Sequence, residues 1–382
     1  MKLIKDIHDL VEVHRKELSI RNIKRSVKLS EDLSLIKRHE LNTIQFLAIQ
    51  TPHDLCNFFG MSFLELENQI NNCNYKRFFI QKKKGGAREI LEPDLQLKDI
   101  QRYLNHYLQA YYLSIKPKEI HGFIIHPKYL ESYNNIVSNA NVHIQKKHLL
   151  NIDLKNFFPS ISANRIKRLF ISPLFNFNNS VANALTLLTS YQAKLPIGAP
   201  TSPVISNFIC LEFDSEIIKY CLDKNISFSR YADDLTFSSN FKFVDEQISD
   251  IYFIIRKHNF EVNDKKVHLT ASNRSQKVTG LTVNNKVNIE RKLLKKIRAM
   301  QHDALTNGVE AATGKHFNLR QRATYSQQLK YVNKLIGYFN FVCQVRGKTD
   351  LLYLKLVEKA KPFLFDQKTM LNMFISWDRK KN

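Results

Sequence analysis

The sequence predicts an α+β protein, mixed in its elements up to about residue 290 and helical beyond it. Three observations predict this. Short apolar runs bounded by turn residues recur before 290, helical periodicity separates them, and past 290 that periodicity continues almost unbroken. With 43% hydrophobic and 11% aromatic residues, the chain can bury a substantial core, which argues against global disorder. Its 382 residues suit two or three domains, or one enzyme with appended lobes.

In order, residues 1–50 are charged, with short helical patterns such as Ile7, Leu10 and Val11. Thr51-Pro52 reads as an N-cap followed by proline at the first helical position. Tyr75 to Ile80 and Arg88–Leu91 read as strands joined by a basic glycine turn, Lys82–Gly86. From Asp99 to Leu113, apolar residues recur at helical spacing. Leu149 to Leu154 is a short apolar strand ending in an acid. A helix starts near Ala163, breaks near Pro173 and resumes through Ala182, Leu185 and Leu188. The loop Leu195 to Pro203 leads into an apolar helix at Val204–Ile218. Ser227 to Ser238 holds two strand-like runs meeting at Asp233-Asp234, and 243–260 is helical. Val278–Val283 and Val287–Ile289 read as one hairpin turning at Asn284-Asn285. In Glu290–Leu305, Arg291, Lys292, Lys295, Lys296 and Arg298 share one face, opposite Leu293, Leu294, Ile297 and Met300. A second amphipathic segment, Leu329 to Val342, follows.

The charge points to a polyanionic partner. Lys and Arg number 58 against 35 Asp and Glu, giving +23, which favours association through counterion release and steering. No run approaches the roughly 18 apolar residues needed to cross a bilayer. Lys2, Lys5 and Asp6 break any signal-peptide pattern, so a cytoplasmic location and no membrane partner are expected. The five cysteines form no CxxC pair, which argues against a disulfide framework and structural zinc.

Chemistry concentrates in three acids. Adjacent Asp233 and Asp234 between apolar strands are costly unless solvated at a turn or neutralised by a cation. Asp153 ends another apolar strand. Two such strand tips side by side would offer three carboxylates to divalent ions. Hard oxygen ligands and incomplete protein coordination suit Mg²⁺. Two ions ~3.5–4 Å apart would activate a 3′-hydroxyl and stabilise leaving pyrophosphate.

Here the chain resembles the reverse transcriptase family, in motifs ordered along the sequence. Asn151-Ile152-Asp153-Leu154-Lys155-Asn156-Phe157-Phe158-Pro159-Ser160 resembles the first palm motif, and Tyr231-Ala232-Asp233-Asp234 the YxDD motif. The resemblance implies a right-hand polymerase fold. Its fingers and palm, an antiparallel sheet packed on helices, would span 51–290. A helical thumb and C-terminal region would span 291–382, after an N-terminal helical extension at 1–50. It implies Asp153 and Asp233 as principal metal ligands, assisted by Asp234, with Leu154 beside them. The cofactor would be two Mg²⁺ ions, with Mn²⁺ as a possible substitute. Phe158 matches the bulky gate that crowds a 2′-hydroxyl; core packing is the other reading for it and for Phe157. Lys82, Lys83, Lys84, Gly85, Gly86 and Arg88 resemble the fingers cations that grip the triphosphate, with Lys84 and Arg88 as nucleotide-binding positions. Leu195–Pro203 resembles the PQGxxxSP loop, but Ile197 stands where a nucleotide-contacting Gln is usual, next to Gly198. Asn263-Asp264-Lys265-Lys266 resembles the motif whose lysine protonates pyrophosphate, here Lys266; a solvated surface lysine is the alternative. Val278-Thr279-Gly280-Leu281 resembles the primer-grip hairpin.

Further signatures narrow the resemblance to bacterial retron reverse transcriptases: Asn139-Ala140-Asn141-Val142-His143 as NAxxH, Val278-Thr279-Gly280 as VTG, and His121-Gly122-Phe123 as an HGF-type element. That group implies a cognate noncoding RNA (msr-msd), copied from a 2′-hydroxyl primer into branched msDNA. It also implies antiphage defence with an effector, expected here as a separately encoded protein, and host RNase H for template removal. Asn139, His143, Gly280, Arg291, Lys295 and Arg298 are the expected primer and template contacts. The rival readings are an abortive-infection, diversity-generating or group II intron reverse transcriptase, and a non-catalytic RNA-binding scaffold.

Overall fold

The computed structural model describes residues 11, 38–81, 85–126 and 134–364. Most of the expected N-terminal extension, and Lys82 to Lys84, lie outside them. The chain divides into two compact units, Met1–Asn139 with Lys147–Leu269, and Ala140–Lys146 with Thr270–Asn382. That division falls ahead of the residue-290 boundary read from the sequence.

The first unit opens with α1 (Arg38–Leu47), α2 (Pro52–Phe59) and α3 (Phe63–Asn71). The N-cap read at Thr51 is a full capping box: its side chain accepts from the Asp54 N–H while the Asp54 carboxylate accepts from the Thr51 N–H. The hairpin β1 (Tyr75–Gln81) and β2 (Ala87–Pro93) follows, then α4 (Leu95–Ile115) and α5 (Ile136–Asn141). The strand β3 (His148–Asp153) leads to α6 (Ala163–Ile171) and α7 (Asn179–Thr189), the two helices expected on either side of Pro173. The apolar run after the proline loop is also two helices, α8 (Ser202–Ile209) and α9 (Leu211–Asp223), joined at Cys210. Then come β4 (Ser227–Tyr231), β5 (Asp234–Ser239), α10 (Asp245–Lys257), a 3₁₀ turn (Asp264–Lys266) and β6 (His268–Ala271). These strands form a four-stranded sheet in the order β4-β5-β3-β6. Its central strand β5 is buried from Leu235 onward, so only the end bearing Asp234 reaches solvent.

In the second unit β7 (Lys277–Val278), β8 (Leu281–Thr282) and β9 (Asn288–Ile289) form a three-stranded antiparallel sheet. This corrects the expected single strand over Val278–Val283. The chain reverses at Thr279-Gly280, both with positive φ (48° and 82°), as a two-residue primed turn requires. Helices α11 (Arg291–Phe317), α12 (Tyr325–Arg346) and α13 (Leu351–Leu364) complete it. α11 is two helices joined at Gly308, whose φ of 78° and ψ of 161° are not helical. In a straight helix Asp303 and Lys315 would stand about 18 Å apart. Instead Lys315 and His316 reach the Asp303 carboxylate at 3.0 and 2.7 Å, so the chain folds back there. The five cysteines are free thiols.

Candidate active site

The turn carrying Asp233 and Asp234 is shaped from beneath. Ala232 holds a φ of 61°, a conformation L residues seldom adopt. Arg230, at the end of β4, is fully buried and forks onto Asp214 of α9, Nε to Oδ1 at 2.7 Å and Nη2 to Oδ2 at 2.6 Å. Its Nη1 donates to Asn207 Oδ1 (3.0 Å) and to the Ala232 carbonyl (3.2 Å), tying the guanidinium to the turn itself. Burial opposes the Arg230 charge, but the Asp214 carboxylate outweighs it and holds the guanidinium above its ordinary range. On the other edge of β4, Arg230 exchanges main-chain hydrogen bonds with Glu119 and His121. Gly122 then passes so close that a Cβ there would stand 2.4 Å from the Ala232 nitrogen. Asn207 Nδ2 donates to the Gly122 carbonyl at 3.1 Å.

The three acids lie at neighbouring strand ends. Asp153 and Asp234 are direct partners in the β3–β5 register, so their side chains share a face. The Leu154 N–H donates to the Asp233 carbonyl at 3.0 Å. Leu154 has a buried side chain, so only its main chain is available to an ion. Asn263 fixes Asp153 twice, N–H to carbonyl at 2.8 Å and Nδ2 to Oδ2 at 3.1 Å. Lys266 Nζ donates to Asp153 Oδ1 at 2.7 Å. Loss of surrounding water, then the charges of Asp233 and Asp153, push Asp234 up to about 6. Asp233 is raised first by desolvation and further by Asp153, with Lys266 and Arg88 opposing. Among the described residues no three His, Cys, Asp or Glu side chains are gathered tightly enough to hold an ion on their own. The donor set is thus open: hard oxygens that repel one another, one already neutralised by an ammonium. It fits divalent cations whose remaining ligands are water and phosphate.

Around it, Phe157 is buried against Phe260 (centroids 5.6 Å apart). Phe158 is half-buried and stacks on Phe123 at 5.6 Å. Phe157 is thus a core residue, while Phe158 packs against the core only in part. The Ile197 carbonyl accepts from the Leu91 N–H at 2.7 Å, docking the proline loop on β2. Gly198, at φ 125°, leaves no room for a side chain, since a Cβ would meet the Leu91 oxygen at 2.7 Å. That glycine is needed for close backbone approach. Ser202 Oγ donates to the Pro196 carbonyl at 2.6 Å. Arg88 is exposed on β2, and Lys84 lies outside the described residues.

The expected template contacts are unlike one another. Asn139 and His143 are 1% and 0% exposed, so their side chains face protein interior. Gly280 forms the β7–β8 turn. Arg291, Lys295 and Arg298 are exposed on α11, above buried Ile297 and Met300. Arg291 lines a polar groove of ≈ 650 Å³ with Arg274, Lys277, Lys286 and Lys292. Arg298 lines a mostly apolar groove of ≈ 340 Å³ with Leu305, Leu352 and Leu356, rimmed by His302, Lys355 and Lys359. The reading from sequence missed Asp214 and Asn207 altogether, and named Asn263 only as part of the Lys266 motif. Arg230, directly before the YxDD residues, was the one visible signal.

Residues 80–283 match the family model described as reverse transcriptase (RNA-dependent DNA polymerase). The chain is 34% identical to the retron Ec86 reverse transcriptase of Escherichia coli over 334 residues, 84% of this chain and 94% of that protein. It is 29% identical to the Escherichia coli retron Ec73 reverse transcriptase, over 68% of this chain and 90% of that one. Among solved structures, a Candida albicans telomerase with a fragment of telomeric RNA is similar at 11% identity and TM-score 0.43, over 80% of this chain and 66% of that one. Motif order, strand-end carboxylates, the family model and the retron relatives agree, and the chain belongs to the retron reverse transcriptases, RNA-directed DNA polymerases.

Proposed function

We propose that this polymerase copies part of its own structured noncoding RNA into branched msDNA, starting from an RNA 2′-hydroxyl, and serves antiphage defence with a separately encoded effector. The observation that carries this reading is the alignment with a retron reverse transcriptase along 94% of that protein. Template RNA would be removed by host RNase H.

Asp153 and Asp233 would hold two Mg²⁺ ions, assisted by Asp234 and the Leu154 main chain. When bound, such ions polarise an attacking hydroxyl and offset charge on leaving pyrophosphate. Asn263 keeps the Asp153 carboxylate in one orientation. Lys266 pairs with Asp153, and its ammonium would pass a proton to the leaving pyrophosphate. Arg88 and Lys84 would grip the triphosphate, and Ile197 would pack against sugar or base without a polar contact. Phe158 would crowd a 2′-hydroxyl. Arg291, Lys295 and Arg298 would hold phosphates of an RNA or hybrid duplex. Asn139 and His143, being buried, would shape the backbone near their signature, and Gly280 would set the primer-side turn.

The test is expression of the gene with its flanking DNA, followed by analysis of total nucleic acid for RNA-linked single-stranded DNA. Wild type should yield the branched species. Asp233→Asn/Asp234→Asn should lower it by about 10³-fold or more. Identical nucleic acid from both would end the catalytic reading, and unbranched DNA from wild type would end the msDNA reading alone.

A further inference from the structure

We propose that Phe123 is a specificity-determining residue of this polymerase, setting how far the Phe158 ring stands into the space of the incoming sugar. The inference rests on the reading of Phe158 as the sugar gate.

Phe123 has a φ of 62°, in the left-handed region that bulky side chains avoid. Such a conformation persists only where the surroundings over-determine it. Here two buried carboxamides do so. Asn207 donates to the Gly122 carbonyl (3.1 Å), and Gln109 Nε2 donates to the Phe123 carbonyl (3.0 Å). The Ile125 N–H donates back to Gln109 Oε1 at 3.0 Å, closing a clamp across the strained residue. Gln109 and Asn207 are 6% and 0% exposed, so water does not compete for these bonds. Upstream, Gly122 is pressed against the Ala232 nitrogen and cannot relax away.

What the strain achieves is the placement of one ring. Phe123 lies nearly parallel to Phe158, 30° between planes. Among the described residues the other ring neighbour of Phe158 is Phe157, itself buried in the core. Phe123 and Phe157 thus bracket the Phe158 ring, and of the two Phe123 is only partly buried. A steric gate discriminates by a single hydroxyl, so its selectivity depends on how narrowly the ring is held. Without the Phe123 ring, Phe158 gains rotamer freedom and can yield to a ribose. The segment Gly122-Phe123 also touches the Asp233–Asp234 turn, so one stretch of backbone indexes the gate ring to the carboxylates.

The experiment uses the full chain extending oligo(dT) on poly(rA) with Mg²⁺, comparing kcat/KM for dTTP and UTP. Phe123→Leu should lower the dTTP-to-UTP ratio by about tenfold, through faster use of UTP. Phe123→Tyr, which keeps the ring, should restore the wild-type ratio. If Phe123→Leu melts early, Phe123→Gly removes the ring while suiting the positive φ, and should show the same shift. An unchanged ratio in the folded ringless variant, with Phe158→Ala shifting it, overturns the role of Phe123. A ratio that falls only through lost dTTP turnover overturns it as well. An unchanged ratio in Phe158→Ala instead removes the gate reading beneath it.

Discussion

Two antiparallel hairpins of the first unit are built on opposite plans. In β1–β2, six of the seven β1 residues are exposed, and Gly85 and Gly86 at the tip have nothing within 4 Å of an added Cβ. The Arg77–Glu89 pair across it is half exposed on both sides. In β4–β5 eight of the eleven strand residues are buried, and the tip is seated on Gly122, Asn207 and a fully buried ion pair. The difference follows the chemistry expected of each. Carboxylates that share ions must be fixed to fractions of an ångström. Cations that grip a triphosphate need reach and can adapt.

The comparison breaks most sharply at its ion pairs. Arg230→Met strands the Asp214 carboxylate in the core and should cost about 3–5 kcal/mol in denaturant unfolding. Arg230→Met/Asp214→Leu should recover most of that loss, while polymerase activity stays depressed because the bond to the Ala232 carbonyl is gone. Recovery of full activity by the apolar pair would show that the turn needs no polar support.

A second expectation concerns pH. His121 is pushed down to about 4 by burial, aided by the charge of Lys116. The unfolded chain takes up this proton near 6.5. Its contribution is therefore full above about pH 6.5 and lost as pH falls toward 4, at up to about 1.4 kcal/mol per pH unit. His121→Gln should flatten that part of the slope in unfolding measured from pH 7 to 4.5. Parallel slopes for the two proteins would place the titration elsewhere. The smallest effect belongs to the open hairpin: Arg77→Ala should shift stability by less than about 1 kcal/mol. A larger change in thermal unfolding would mean the exposed hairpin is braced after all.

Much of this was legible beforehand, for physical reasons. Asp153 and the Asp233–Asp234 pair stand out because acids at the ends of apolar strands need an explanation. The cationic face of α11 follows from spacing alone. Asp214 is invisible because an acid on an amphipathic helix reads as surface, and its partner lies in a different element. The hydrophobic pattern missed the Thr279-Gly280 turn because a β-branched residue at positive φ runs against its preference, although the motif resemblance placed a hairpin there. Asn139 and His143 were expected as contacts through the family signature, which carries no information on burial, and both are buried. Phe123 gives no sign of its backbone strain in its identity. The helix break at Gly308 lies just beyond Glu290–Leu305, the segment whose helical spacing was read from the sequence.

That break has a practical consequence. Gly308 is exposed, its φ is positive, and nothing lies within 4 Å of where a side chain would begin. The flanking segments are already stapled to each other through Asp303, Lys315 and His316. A short glycine-flanked tag inserted there would extend a reversal that exists rather than interrupt a helix. It is therefore the natural attachment point for a dye or an affinity handle on the helical lobe.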